Sequence, residues 1–359
     1  ILNKNNYAVI MAGGIGSRFW PLSKKEMPKQ FLDILDIGET LIQQTFRRLA
    51  LICPKENIFI VTNNEYFNLC KEQINEISED HILCEPVMRN TAPCIAYAAF
   101  KIHSINSEAS MIVAPSDHLI TNDAEYVRVV NEIFDTISKD DTIVTLGIQP
   151  SRPDTGYGYI QYENTNLIDS NINIKKVKTF TEKPNRDLAL QFLDSGDFLW
   201  NAGIFLFTSR VIIDSYRKNL RDIYDIFKSG EEIYGTANEI DFISRIFSSC
   251  KNISIDYGIL EKSDIVYVYP SIFGWSDLGT WGSIDTHLPK DDENNTIRGG
   301  DIQLHNSKDN IVILKSGREC IINGLTGYIV VESDNSLLIC NKADEQEIKK
   351  FTSKLKSNQ

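Results

Sequence analysis

Gly13, Gly14 and Gly16, with Arg18, Lys24, Lys25 and Lys29 behind them, are the residues of this chain whose types and spacing most clearly point to chemistry. They lie in AVIMAGGIGSRFWPLSKKEMPKQFL, residues 8–32. Glycines just beyond an apolar run let the backbone turn tightly and present free amides to a ligand. Cations clustered downstream suit a polyanion, and the two features together fit the phosphates of a nucleoside triphosphate. The spacing is neither a G-x-x-x-x-G-K-[ST] loop nor a G-x-G-x-x-G fingerprint, which argues against a nicotinamide-dependent dehydrogenase. The plain structural alternative is an ordinary strand-to-helix turn with solvated charges. Pro21 and Pro28 favour an ordered loop, on which Lys29 is expected to be exposed.

Further groups fall at the ends of other apolar runs. Asp117 follows one in APSDH, and Asp277 sits between Trp275 and Gly279. Two carboxylates, completed by phosphate oxygens and water, are the usual way to hold Mg²⁺. Taken singly, each aspartate also reads as a turn former or cap. Glu182 and Lys183, before Pro184, offer a carboxylate to sugar hydroxyls and an ammonium to a phosphate; an exposed charged pair is the plain alternative. Asn201, in WNAGIF, has the same standing. His118 reads as a base or, more simply, as a structural donor.

These residues need a scaffold, and the hydrophobic pattern supplies one. Short apolar runs at Ala8–Met11, Ile58–Thr62, Ile82–Cys84, Ser110–Ala114 and Thr142–Leu146 alternate with helical spacing at Leu41–Leu51, Glu65–Ile77, Thr91–His103 and Ala124–Ser138. Such alternation predicts an α/β fold, a Rossmann-like, mixed but mostly parallel sheet with helices on both faces. Ligands of such sheets lie beyond the carboxyl ends of the strands, which puts the glycine loop, Glu85–Pro93 and Pro115–His118 along one rim. Residues 1–290 are expected to form this domain. Pro289–Asn295 reads as a linker. Residues 296–359 follow as a small β-helix-like domain of short strands at intervals of roughly nine residues. A terminal helix over Ala343–Leu355 is expected to pack back through Ile348, Phe351 and Leu355.

With 359 residues and a net charge of -12, the chain has no general nucleic-acid surface. No apolar run is long enough for a membrane helix. The seven cysteines are dispersed, without a C-x-x-C pair, as expected of buried thiols in the cytoplasm.

Eight stretches together resemble the mannose-1-phosphate guanylyltransferases, within the sugar-phosphate nucleotidyltransferases, whose fold is the nucleotide-diphospho-sugar transferase fold. They are residues 12–32, EPVMRNTAP (85–93), APSDH (114–118), GYGYI (156–160), FTEKP (180–184), WNAGIF (200–205), SIDYGILEK (254–262) and WSDLGTW (275–281). The resemblance implies that Ala12, Gly13, Gly14, Gly16, Ser17, Arg18 and Lys29 bind the nucleotide. Arg18 and Lys29 would also stabilise the departing pyrophosphate. It assigns Glu85, Arg89, Asn90 and Thr91 to the base, and a carboxylate there suits the N1–H and N2–H donors of guanine. It makes Asp117 and Asp277 ligands of Mg²⁺ or another divalent cation, with Asp117 also facing the nucleotide and Asp277 the sugar phosphate. Gly158, Glu182 and Asn201 become sugar contacts, and Lys183 the catalytic cation holding the sugar phosphate.

The implied partners are GTP and mannose 1-phosphate, with no nucleic acid or membrane, and an exposed β edge would serve a homodimer. Ser17 stands where many members have threonine, which keeps the hydroxyl. Longer members carry an isomerase domain; with no histidine-rich motif after His305, that second activity is not expected. Three alternatives stay open: dTTP with glucose 1-phosphate, GTP with a heptose 1-phosphate, and a silent nucleotide-sugar sensor.

Overall fold

The apolar run ahead of the glycines, Asn6–Ala12, is a strand that pairs in parallel with Ile58–Asn63 on one side and Ser110–Pro115 on the other. It belongs to a nine-stranded sheet in a computed structural model that describes residues 2–166 and 172–356. Across this sheet the order is Ile82–Glu85, Ile58–Asn63, Asn6–Ala12, Ser110–Pro115, Phe198–Thr208, Ile143–Ile148, Val266–Ser271, Lys175–Glu182 and Gly158–Asn166. All but Phe198–Thr208 and Lys175–Glu182 run in one direction. The sheet is therefore mixed, the antiparallel pairings entering with the strands Phe198–Thr208 and Lys175–Glu182.

Successive strand residues point to opposite faces, so unbroken burial from Tyr7 to Ile10 and from Ile58 to Thr62 means that both faces are covered. On one face Val9, Val61 and Val113 pack with Ile95, Ala99 and Ile212 of the helices Thr91–Ile105 and Ser209–Asn219. Alanines at 92, 96, 98 and 99 let the first of these helices lie close to the sheet, and Pro93 falls in its first turn, where no amide partner is lost. Lys101 of the same helix is buried, paired with Glu239, to which Tyr97 also donates at 3.0 Å.

By contacts the described chain divides into two compact units. The sheet and these helices belong to the unit of residues up to Gly13, Thr45–Ser116 and Ile120–Trp275; the other comprises Gly14–Gln44, Asp117–Leu119 and Ser276 onward. In the second unit Thr296–Arg298, Ile311–Ile313 and Tyr328–Ser333 stack in parallel, and Asp301–His305 pairs in parallel with Glu319–Asn323. Successive strands thus alternate between two ladders. Ser336–Asn341 then turns back antiparallel on Tyr328–Ser333. Ile311, Ile313, Ile329 and Val331 share a core with Phe19, Ile34, Leu278 and Trp281.

Two expectations for this region are corrected. The stretch Pro289–Asn295 is not a loose linker: Asn295 is buried and bonds Asp291, the Ser307 carbonyl and Asn310. A polar side chain saturated in this way is as well ordered as an apolar one. The terminal segment begins as a 3-10 stretch, Lys342–Glu347, before the helix Ile348–Lys356. Of the three expected anchors only Ile348 is buried; Phe351 and Leu355 are exposed. Residues 357–359 of the expected domain lie outside the described residues.

Candidate active site

In the second unit the polar contacts centre on Lys29. Its Nζ lies 2.8 Å from Asp117 Oδ2 and donates to the Asp277 and Leu278 carbonyls at 2.8 and 3.1 Å. It also sits 5.6 Å from the Phe19 ring centroid. Lys29 is buried, contrary to the exposed loop expected, because the loop folds as two 3-10 turns, Ser17–Phe19 and Lys29–Phe31, pinned by Phe19 against Trp281. The Lys29 amide and the Ser23 hydroxyl both bond the Ile15 carbonyl. Burial opposes ionisation of Asp117, but Lys29 and His118 outweigh it and hold the carboxyl below its ordinary range. His118 Nε2 is 3.9 Å from Asp117, so the imidazole supports the carboxylate instead of standing as a separate base.

Glycine is required at position 16 on two counts. Its φ is +69°, and a Cβ there would fall 2.5 Å from the Lys29 Cβ. Gly14 faces open space. Arg18 and Lys25 are exposed, whereas Lys24 pairs with Asp334 at 2.7 Å. Ser17 and Ile15 line a cavity of about 630 Å³ with Asn335, Leu337 and Leu355.

In the first unit, in-register pairing puts Ala12, Glu85 and Pro115 at the carboxyl ends of their strands. The Ala12 side chain is buried, which leaves its backbone for any ligand contact. Glu85 is 5% exposed, and its Oε1 has no hydrogen-bond partner among the described residues. Burial pushes its carboxyl up to about 8. A Cβ on Gly13 would approach Glu85 Oε2 to 4.0 Å, so this carboxyl borders Gly13. Arg89 is turned elsewhere: its guanidinium donates to the Ser248 carbonyl at 2.8 Å and to the Phe247 carbonyl at 3.4 Å. Asn90 adopts φ +68° ahead of the helix that Thr91 begins, and the Thr91 hydroxyl accepts from the Ile255 amide at 2.9 Å.

The expected sugar contacts also gather in the first unit. Gly158 pairs directly with Glu182, and a Cβ at Gly158 would lie 2.5 Å from Glu182 Oε2. Lys183 Nζ contacts Glu182 Oε1 at 2.6 Å. Burial works against the Lys183 charge, but Glu182 and Asp256 outweigh it and raise its pKa. Asn201 donates to Asp256 at 3.0 Å and accepts from Thr145. Tyr157 packs edge-on against Trp200 and Trp275, and the Arg152 guanidinium lies 5.2 Å from the Trp200 ring centroid. Sequence reasoning passed over Asp256, whose carboxyl is raised to about 6 by burial and by Glu182. Its signal was available: a carboxylate in the first turn after Ser254, the N-cap of Ile255–Gly258.

Backbone strain marks the same stretches. Eight non-glycine residues have positive φ among the described residues, and the only two that are not Asn or Asp are Lys183 and Leu278. Such conformations cost about 1–3 kcal/mol and persist where the surroundings over-determine them, often at functional sites. One of the two carboxylates expected to hold a divalent cation has the charge for it. Asp117 is held ionised, and Lys29 bonds both that carboxylate and the Asp277 backbone. Among the described residues no group of three or more His, Cys, Asp or Glu could hold a metal, so phosphate oxygens would have to complete the shell.

Residues 7–293 match the nucleotidyl transferase family. The chain is 37% identical to a mannose-1-phosphate guanylyltransferase of Salmonella muenchen, over 98% of this chain and 73% of that one. A crystal structure described as mannose-1-phosphate geranyltransferase from Thermus thermophilus superposes with a TM-score of 0.85 at 26% identity, over 98% of this chain and 99% of that one. A structure described as mannose-6-phosphate isomerase from Helicobacter pylori gives 0.61 at 27%, over 76% and 99%. The matched span takes in the glycine turn, Glu85, Asp117, Lys183, Asn201 and Asp277, and the chain belongs to the nucleotidyl transferase family, among the mannose-1-phosphate guanylyltransferases.

Proposed function

We propose that the chain makes GDP-mannose and pyrophosphate from GTP and mannose 1-phosphate. The observation that carries this reading is the set of bonds at Lys29, where a buried ammonium meets Asp117 and the Asp277 backbone from distant motifs. The sugar phosphate attacks the α-phosphorus of GTP in line. That phosphate is already anionic near neutral pH, so no strong base is needed, and His118 has none of that work to do. The chemistry is the positioning of two mutually repelling anions and the neutralisation of their charge. Arg18 and Lys29 neutralise the triphosphate beside the amides of Gly13, Gly14, Gly16 and Ser17. Lys183 neutralises the sugar phosphate, while Gly158, Glu182 and Asn201 take the hydroxyls.

Glu85 accepts from guanine, which supplies the donors its unpaired oxygen lacks. Arg89, occupied by helix-end carbonyls, holds the shape of the turn, with Asn90 and Thr91. Asp117 and Asp277 would hold Mg²⁺, which would neutralise phosphate charge.

Residues 1–290 carry this chemistry, and the two alternating ladders between Thr296 and Asn341 support reading 296–359 as a small β-helix-like domain. The last strand, Ser336–Asn341, lies at the edge of its sheet with Leu337 and Ile339 exposed, which fits a homodimer. Use of GTP and sugar phosphates as substrates supports a cytoplasmic location. No helix among the described residues is long and apolar enough to cross a membrane.

The test is pyrophosphate release with GTP and mannose 1-phosphate, repeated with four nucleotides and with glucose and heptose 1-phosphates. Turnover only with dTTP and glucose 1-phosphate overturns the reading. Binding of GDP-mannose without pyrophosphate release makes the chain a sensor instead.

A further inference from the structure

We infer that Asp256 is a positioning residue for the sugar: it fixes the sense of the Asn201 amide so that one N–H faces a hydroxyl of the sugar phosphate. The inference rests on the sugar-phosphate reading above and deepens it. Asn201 is held from both ends. Its Oδ1 accepts from the Thr145 hydroxyl at 2.8 Å and from the Gly203 amide at 3.1 Å, and its Nδ2 donates to Asp256 Oδ1 at 3.0 Å.

With two donors on the oxygen and a carboxylate on the nitrogen, the reversed amide would face donor with donor and acceptor with acceptor. One Nδ2 proton remains without a partner among the described residues, and Asn201 is only partly buried, so that proton is available to a ligand oxygen.

Asp256 is itself fixed by the backbone beneath it. The Ile255 amide donates to the Thr91 hydroxyl at 2.9 Å, and the Ala92 amide to the Ile253 carbonyl at 3.1 Å. Ser254 caps the turn by accepting from the Tyr257 amide at 3.3 Å. The turn that carries Asp256 is thus tied to the start of the helix Thr91–Ile105, which packs on the sheet.

Asp256 also shares its surroundings with Glu182 and Lys183. Two carboxylates that feel a single ammonium, itself bonded to Glu182, have spare acceptor capacity, the chemistry that recognises a polyol. A hexose phosphate meets it with several hydroxyl donors. A triphosphate, which carries only acceptors, does not.

The experiment compares steady-state KM values for the two substrates in Asp256→Leu, which removes the acceptor at similar size, and in the exchanged pair Asn201→Asp with Asp256→Asn. In the single variant, KM for mannose 1-phosphate rises at least tenfold while KM for GTP stays within twofold. The exchanged pair regains the bridging hydrogen bond and the thermal midpoint but not the sugar KM, because a carboxylate at 201 donates nothing. Equal changes in both KM values, or recovery of the sugar KM in the exchanged pair, would show a merely structural bond and overturn the inference. If the wild type instead uses another sugar 1-phosphate, the choice of mannose fails, and the same comparison with that sugar decides the role of Asp256. A wild type that turns over no sugar phosphate overturns both.

Discussion

Replacing Lys29 by Met removes one ammonium and leaves three acceptors behind: the Asp117 carboxylate at 2.8 Å and the Asp277 and Leu278 carbonyls at 2.8 and 3.1 Å. Methionine fills the volume, so packing against Phe19 is largely kept. Breaking a buried pair by deleting one partner costs about 3–5 kcal/mol. Asp117 retains 30% side-chain exposure, so water recovers part of that cost and the lower end, about 3 kcal/mol, applies. For a chain of this size that lowers Tm by several degrees.

The loss depends on pH. Lys29 helps hold the Asp117 pKa below its ordinary value, a contribution present above the unfolded carboxylate range and lost as pH falls through the folded value. Wild type and variant therefore converge in stability below roughly pH 4. Activity falls separately, by about 10²–10³ if Lys29 stabilises developing phosphate charge.

Thermal and urea unfolding of Lys29→Met, of Asp117→Asn and of the double variant separate the two effects. The double variant has no unpaired buried charge, so it recovers most of the stability lost by Lys29→Met and none of the turnover. A single variant as stable as wild type, or a double variant less stable than Lys29→Met alone, refutes the reasoning.

Glu85→Gln tests the unpaired buried carboxyl. A folded pKa raised to about 8 gives stability that is full below the ordinary carboxylate range and lost as pH rises through 8. Wild-type stability thus declines as pH rises toward and past that value and the variant's does not, while KM for GTP rises; parallel pH curves would remove the carboxyl from consideration. Gly16→Ala puts a Cβ 2.5 Å from the Lys29 Cβ at φ +69° and should cost about 1–3 kcal/mol, whereas Gly14→Ala, in open space, should cost almost nothing. Equal midpoints for the two alanine variants would contradict the loop geometry. Asp277→Asn should lower turnover at least tenfold at limiting Mg²⁺ and recover in part at high Mg²⁺. Unchanged rates at limiting Mg²⁺ would take Asp277 out of the ligand set.

The sequence by itself determined the elements and the motif stretches. Apolar periodicity located the strands at Asn6–Ala12, Ile58–Asn63 and Ser110–Pro115 and the helix Thr91–Ile105 to within two residues. This worked because strand and helix periods arise from local geometry. The cations and carboxylates of the candidate site were legible for the same reason: they stand at element ends, where the pattern breaks.

Tertiary structure alone decided what each polar group touches. Asp117 and Asp277 are 160 positions apart in sequence, and only the folded loop brings both to one buried ammonium. Arg89, read as a base contact, spends its donors on a helix end, and Asp256, unremarkable in sequence, holds Asn201. Burial of Lys29 and exposure of Phe351 were equally invisible, because amphipathic spacing gives a face but not whether anything packs on it. Hydrogen-bond partners are set by contacts between residues far apart in the chain, and no local pattern encodes them.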